Sequence, residues 1–322
     1  MTALQQHLTI VTAAAILVIT PGCVREDMSS CPAEIEILCT FTRNEYATDR
    51  FRDEVKHLDL FVYDEAGSLV ETSHVPVSEM IPGEKGMVAK QSLNLQQGTY
   101  TVVGWANVEQ GCHSFTSTEK LPDAQVGTEY TAKDGLNVVE KTLPALFWAQ
   151  ASLEVPLRRI ASCHLDMKKN AHDIHIQIEG PGNYDMTVSA SNGFYHFDDT
   201  PSDDGSPVVI SYFPEFPDQP LSSLPEGHAQ GVTKADPVGC HNTIRTQSLY
   251  FGDDSRLTIS DGDTGSVLID TSLTELLGKD PSIATDEDIA RRGHYDLKFK
   301  VEDEIILVQV NDWEMADQST GV

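Results

Sequence analysis

Along most of this chain, apolar and polar side chains alternate with a period of two. In residues 34–41 (EIEILCTF), Ile35, Ile37, Cys39 and Phe41 share one face. Residues 54–63 repeat the pattern through Leu58, Leu60 and Val62; Asp64-Glu65-Ala66-Gly67 then turns the chain into a second strand around 69–77. Gly67 can take a positive φ there at no steric cost. Alternation of this kind predicts half-buried strands. The same reading gives strands at 99–105, 146–149, 152–167, 174–178, 184–190, 193–197, 242–251 and 256–260. The clearest hairpin is the last: Tyr295, Leu297, Phe299 and Val301 face one way, Glu302-Asp303-Glu304 turns, and residues 305–313 return.

Only two segments ask for a helix. One is Ser272 to Leu277, with Ser272 as N-cap and Glu275 at capping-box spacing; the other is 286–292. Residues 108–140 are polar and punctuated by glycine, which predicts a long excursion with short elements at most. Pro214, Pro217, Pro220, Pro225 and Pro237 exclude regular structure from 213–239. Many short strands joined by Gly and Pro turns make an all-β chain of sandwich or barrel type. Pro156 suits a strand start or edge, which predicts a domain join near 150–157. The expected units are an N-terminal β-sandwich over 34–153 and a C-terminal β-sandwich over 154–322.

The alternation is absent from residues 8–20 (LTIVTAAAILVIT), thirteen apolar residues without a charge. As a helix they would rise about 20 Å, short of the ~30 Å hydrocarbon core of a bilayer. An apolar run of that length closed by small residues is the h-region of a secretory signal. Gly22-Cys23 resembles a bacterial lipobox, in which cleavage precedes the cysteine and the cysteine receives the lipid. The expected division is a lipoprotein signal peptide over 1–22, lipidation at Cys23, and a tether over 23–33. Thr20 and Pro21 depart from the usual lipobox, so a secreted protein with a structural Cys23 and an uncleaved signal anchor are the alternatives. Glu26-Asp27, just behind the cysteine, resembles the signal that carries lipoprotein of Bacteroidota to the outer face of the outer membrane.

Composition narrows the function. The net charge of −28 lies wholly beyond residue 22 and repels nucleic acid and anionic head groups, so nucleic acid is excluded as a partner. Besides Cys23 there are five cysteines, Cys31, Cys39, Cys112, Cys163 and Cys240, and their pairing stays open. None forms a C-x-x-C, and no metal or cofactor is expected. His172 and His175 lie three apart in a strand, hence on opposite faces, and read as solvent-facing. Asp253-Asp254 and Asp261-Gly262-Asp263 resemble pieces of a calcium loop without its closing Glu. No nucleophile elbow, zinc-protease or phosphate-loop motif occurs, so no catalytic residue is assigned and no enzyme is expected.

Several stretches together resemble FimB-type fimbrial anchor lipoproteins of the type V pili of Bacteroidota. They are Cys31-Pro32, the run from Asp53 to Gly67, Gly98-Thr99-Tyr100-Thr101-Val102-Val103-Gly104-Trp105-Ala106-Asn107, Leu157-Arg158-Arg159-Ile160-Ala161, Ser191-Asn192-Gly193-Phe194-Tyr195 and Val310-Asn311-Asp312-Trp313. The resemblance implies two tandem transthyretin-like β-sandwich domains and a lipid-anchored accessory subunit of a fimbria. It also implies tethering of the filament to the outer membrane, limitation of its length, and donor-strand insertion with a pilin as partner. On this reading Arg158-Arg159 is strand surface or interdomain contact. The rival classes are a pilus tip adhesin and a surface glycan-binding lipoprotein.

Overall fold

The computed structural model describes residues 32–139, 141–157, 160–202, 207–214, 240–301 and 305–315. Two β-sandwiches dominate them. In the first, β1 (Ala33–Thr40), β4 (Ile81–Pro82), β5 (Met87–Leu93) and β12 (Ile160–Asp166) form a sheet in the order β12-β1-β5-β4. Facing it are β2 (His57–Tyr63), β3 (Leu69–Pro76), β6 (Gly98–Ala106), β11 (Phe147–Val155) and β13 (Lys168–Lys169), in the order β13-β11-β6-β2-β3. The alternation read from 34–41 is realised in β1, where Ala33, Ile35, Ile37 and Cys39 are buried and Glu34 and Glu36 are exposed. These side chains meet Leu58, Leu60, Val102 and Leu153 of the facing sheet in one core.

The second sandwich has β9 (Thr131–Lys133), β10 (Leu136–Val138), β15 (Tyr184–Ala190), β17 (Ile210–Tyr212), β19 (Arg256–Asp261) and β20 (Val267–Ser272) in the order β20-β19-β15-β17-β10-β9. Opposite lie β14 (Ala171–Glu179), β18 (Cys240–Gln247), β21 (His294–Val301), β22 (Ile305–Val310) and β23 (Trp313–Glu314), in the order β18-β14-β21-β22-β23. Ile174, Ile176, Ile178, Tyr295, Leu297 and Phe299 face its core. A small third sheet, β16-β8-β7, combines β7 (His113–Thr116) and β8 (Gln125–Thr128) with β16 (Phe194–His196).

The chain does not hand over from one sandwich to the other at a single point. The join expected between residues 153 and 154 falls within β11, and β12 still belongs to the first sandwich, parallel to β1. The excursion over 108–140 supplies β7 and β8 to the third sheet, and β10 pairs in parallel with β17 of the second sandwich. These crossings stitch the halves together. A mixed aromatic cluster fills the seam: Phe61, Tyr63, Val103 and Trp105, on the outer face of β2 and β6, pack against Ala124, Val126, Tyr195 and Phe197. Phe61 and Phe197 meet edge to face at 4.8 Å, and Trp105 is fully buried. Beta6 is therefore covered on both faces, which explains its unbroken run TVVGWA in place of alternation.

Among the described residues three short α-helices interrupt the strands. Helix α1 (Phe51–Glu54) replaces the start of the strand expected at 54 and buries Phe51. Helix α2 (Leu273–Leu277) starts where expected, and Ser272 Oγ accepts from the Glu275 amide at 3.3 Å. The reciprocal capping box sits instead at α3 (Asp286–Arg291), where Thr285 and Asp288 cap each other.

Candidate functional site

Cys23 and Cys31 lie outside the described residues, so the chain is followed from Pro32. Beta1, the first strand among the described residues, is central in its sheet. It pairs in parallel with β12 from Glu34↔Ile160 to Thr40↔Asp166, and antiparallel with β5 from Ala33↔Leu93 to Cys39↔Met87. A pull along a strand laddered on both sides loads those backbone hydrogen bonds together. The far end of β1 is clamped by Asp166, which accepts from Thr40 Oγ1 at 2.8 Å, Thr42 N at 2.9 Å and Thr42 Oγ1 at 2.7 Å. Burial alone would raise the Asp166 carboxyl, but these hydrogen bonds outweigh it and hold the group below the usual carboxylate range.

Because β1 and β12 are parallel, Ala33 and Ile160 share one end of the first sandwich and Thr40 and Asp166 share the other. At the first end Leu157 and Ile160 are 76% and 69% exposed. At the second end β12 passes through β13 into β14. Asn170 N donates to Leu146 O at 2.8 Å there, Lys169 pairs with Glu54 at 3.2 Å within the first sandwich, and the ion pair Arg43–Glu287 (3.1 Å) spans the junction. Arg158 and Arg159, read from the sequence as strand surface or interdomain contact, lie outside the described residues.

Beta14 runs away from the junction, and its parallel partner β21 ends beside it at Val301. At that far end of the second sandwich, β20 is an edge strand, with Val267 61% exposed and Leu268 also exposed. On its outer side β22 pairs with β23 through Gln309 and Val310, and Val308 O accepts from Met315 N at 2.8 Å. Among the described residues, Ile305, Ile306 and Leu307 have no strand on that side. Ile269, Ile305 and Leu307 are half-buried against the core behind them. The edge strand β20 and the start of β22, uncovered among the described residues and carrying half-buried apolar side chains, are a template for another strand.

The candidate ligand groups resolve into structure. His172 is buried, correcting its reading as solvent-facing: its Nε2 donates to Ile289 O at 3.1 Å beneath α3, and only His175 is half-exposed. Asp253 Oδ1 accepts from Ser255 N and Ser255 Oγ, Asp254 binds Ser191, and Asp261 accepts from the amides of Asp263 and Thr264. These are turn and capping carboxylates, and among the described residues no cluster of three metal-ligating side chains exists. Cys39, Cys112, Cys163 and Cys240 are free thiols. A cleft of about 100 Å³ at the junction, lined by Lys168, Tyr195 and Asp199, is far smaller than the ~300–1,000 Å³ of ligand pockets, and the Lys168–Asp199 ion pair at 2.6 Å occupies one wall.

The family model of fimbrillin-A associated anchor proteins Mfa1 and Mfa2 matches residues 28–319. The chain belongs to that family. Membership makes it a fimbrial accessory protein of a non-enzymatic kind, associated with the cell surface. The fold is shared with the fimbrial anchor protein Mfa2 from Porphyromonas gingivalis, at TM-score 0.67 and 15% identity, covering 88% of this chain and 99% of that one. A candidate polysaccharide-binding protein from Bacteroides thetaiotaomicron aligns at TM-score 0.73 and 16% identity over 89% and 99% of the two chains. A candidate adhesin from the same organism aligns at TM-score 0.66 and 20% identity over 88% and 97%. No curated protein matches the chain. At these identities the structural matches speak for the fold, and the family match carries the assignment.

Proposed function

We propose that this protein is a lipid-anchored accessory subunit that tethers a fimbria to the outer membrane and limits its length. The lipid sits on Cys23, and several acyl chains, at about 0.8 kcal/mol per buried CH₂, hold a protein far more firmly than one. The observation that carries the reading is β1: the strand that receives the tether is complete, central and hydrogen-bonded on both sides. Force entering at Ala33 is spread over two ladders and the Asp166 clamp.

The pilin partner joins by strand complementation, and the edge strand β20 with the start of β22, uncovered among the described residues, supports that role at the end away from the junction. In such a joint main-chain hydrogen bonds supply affinity, and alternate side chains in pockets set register. Ile269, Ile305 and Leu307 offer such positions. A subunit held in the membrane admits no further subunit behind it, which limits filament length. The test is a deletion strain combined with palmitate labelling of wild type and Cys23→Ala. Pili shed into the medium or abnormally long, and label lost with Cys23, are the expected results. Attached pili of unchanged length would refute the anchor role, and antibody labelling at the free end of pili would make the protein a tip adhesin instead.

A further inference from the structure

We propose that His57 and His74 form an open binding site for a divalent transition-metal ion of the zinc or copper kind, with Asp59 as the positioning residue behind His74.

The three side chains share one face of the first sandwich. In β2, Leu58, Leu60 and Val62 point into the core, so His57 and Asp59 point out. Asp59 pairs with His74 on the edge strand β3, and His57 pairs with Pro76, which makes the two histidines diagonal neighbours within reach of each other. Their ring centroids lie 4.9 Å apart, with the planes tilted by 39°. Two imidazoles on one ion, at a metal–nitrogen distance of about 2.1 Å and an angle of about 90–110°, hold their centroids about 4.5–5.4 Å apart. The separation in the protein falls within that range.

The tautomers are the second support. His57 Nε2 lies 3.3 Å from Val108 O, and His74 Nδ1 lies 2.7 Å from Asp59 Oδ1. A carbonyl oxygen and an ionised carboxylate can only accept, so these two nitrogens carry the protons. In the neutral rings the lone pairs are left on His57 Nδ1 and His74 Nε2, and among the described residues no hydrogen bond engages either atom. A carboxylate behind an imidazole fixes the ring and raises its basicity towards a metal. The frame is held as well: Asn107 N donates to His57 O at 3.1 Å, and Asn107 Oδ1 accepts from Lys56 N at 2.8 Å.

Access and charge complete the case. His74 is 58% exposed, so an ion reaches the pair from solvent. A net charge of −28 draws cations to the surface, and imidazole selects zinc, copper or nickel among them over calcium or magnesium. Two protein ligands leave the remaining positions to water, which makes the bound ion exchangeable. The histidine pair on the second sandwich lacks these features. His175 and His241 are 6.2 Å apart between centroids, beyond the range for a shared ion, and His175 Nδ1 is engaged with Thr243 Oγ1 at 3.0 Å.

The test uses the full chain without an affinity tag, above the ordinary titration range of histidine, with Zn²⁺ followed by calorimetry and Cu²⁺ by NMR. Substoichiometric Cu²⁺ should broaden the imidazole resonances of His57 and His74 before those of His175 and His241. Asp59→Asn should weaken Zn²⁺ binding about 10-fold or more, the loss usual for a carboxylate behind a metal-bound imidazole, and His57→Ala and His74→Ala should weaken it further. His175→Ala should leave it unchanged. Equal Zn²⁺ binding by wild type and His74→Ala overturns the site. So does broadening that spares His57 and His74, a readout on the wild-type chain that holds even if a variant misfolds.

Discussion

Acidification should weaken the seam between the sandwiches well before it protonates the carboxylates. His113 in β7 and His172 in β14 are 2% and 1% exposed. Burial depresses each imidazole to about 4. Gln247 Nε2 donates to His113 Nε2 at 2.9 Å, tying the third sheet to β18, and His113 Nδ1 is buried without a partner. In the unfolded chain both histidines titrate near 6.5. Above that value they are neutral in both states and contribute nothing to the pH dependence. Below it the unfolded chain takes up protons that the folded chain refuses, so stability falls by about 1.4 kcal/mol per pH unit per histidine until the folded value is reached. Between about pH 6.5 and about pH 5 that amounts to about 2 kcal/mol each and about 4 together, a large share of the ~5–15 kcal/mol typical of a folded domain.

The assay is urea unfolding followed by tryptophan fluorescence, with Trp105 reporting from the seam, across that pH range. The reference is the double variant His113→Gln with His172→Gln, because relief of the −28 charge on acidification affects both chains alike. Wild type should lose about 4 kcal/mol more than the double variant. Identical losses would refute the reasoning. So would an imidazole resonance of His113 or His172 titrating near 6.5 in the folded wild type, a readout that survives if the double variant misfolds.

Two further outcomes follow from the first sandwich. Ile37→Ala should cost about 2–5 kcal/mol in the urea midpoint, because the side chain is fully buried at the centre of β1, whereas Glu36→Ala on the exposed face should stay within about 0.5 kcal/mol. Burial pushes the Cys39 thiol up to about 12 and the Cys163 thiol to about 11, so the native chain should resist alkylation at both in mildly alkaline buffer and react fully in denaturant. Rapid mass-spectrometric labelling of Cys39 in the native chain would contradict its buried position.

Strands were legible where one face is wet and the other dry. Beta1, β14 and β21 alternate in sequence and alternate in burial, because a period of two is what a half-buried strand imposes on its residues. Beta6 lacked that signature because an aromatic layer from distant residues covers its outer face. His172 was misjudged for the same reason: α3, more than a hundred residues later, supplies both its cover and its acceptor carbonyl.

Local chemistry in the sequence therefore determined the all-β class, the turns, most strand positions and the expectation of a lipidated Cys23. Only the tertiary structure decided which strands neighbour one another. Parallel pairing of β1 with β12 and of β10 with β17 joins residues far apart in the chain, and no nearest-neighbour pattern encodes such partners. That pairing moved the boundary between sandwiches past Asp166 and made the polar excursion a clasp. It also set Leu157 and Ile160 at the end of the first sandwich where β1 begins, and the edge strand β20 at the far end of the second. Exposure of an apolar residue is a property of what fails to cover it, and that is settled by the whole fold.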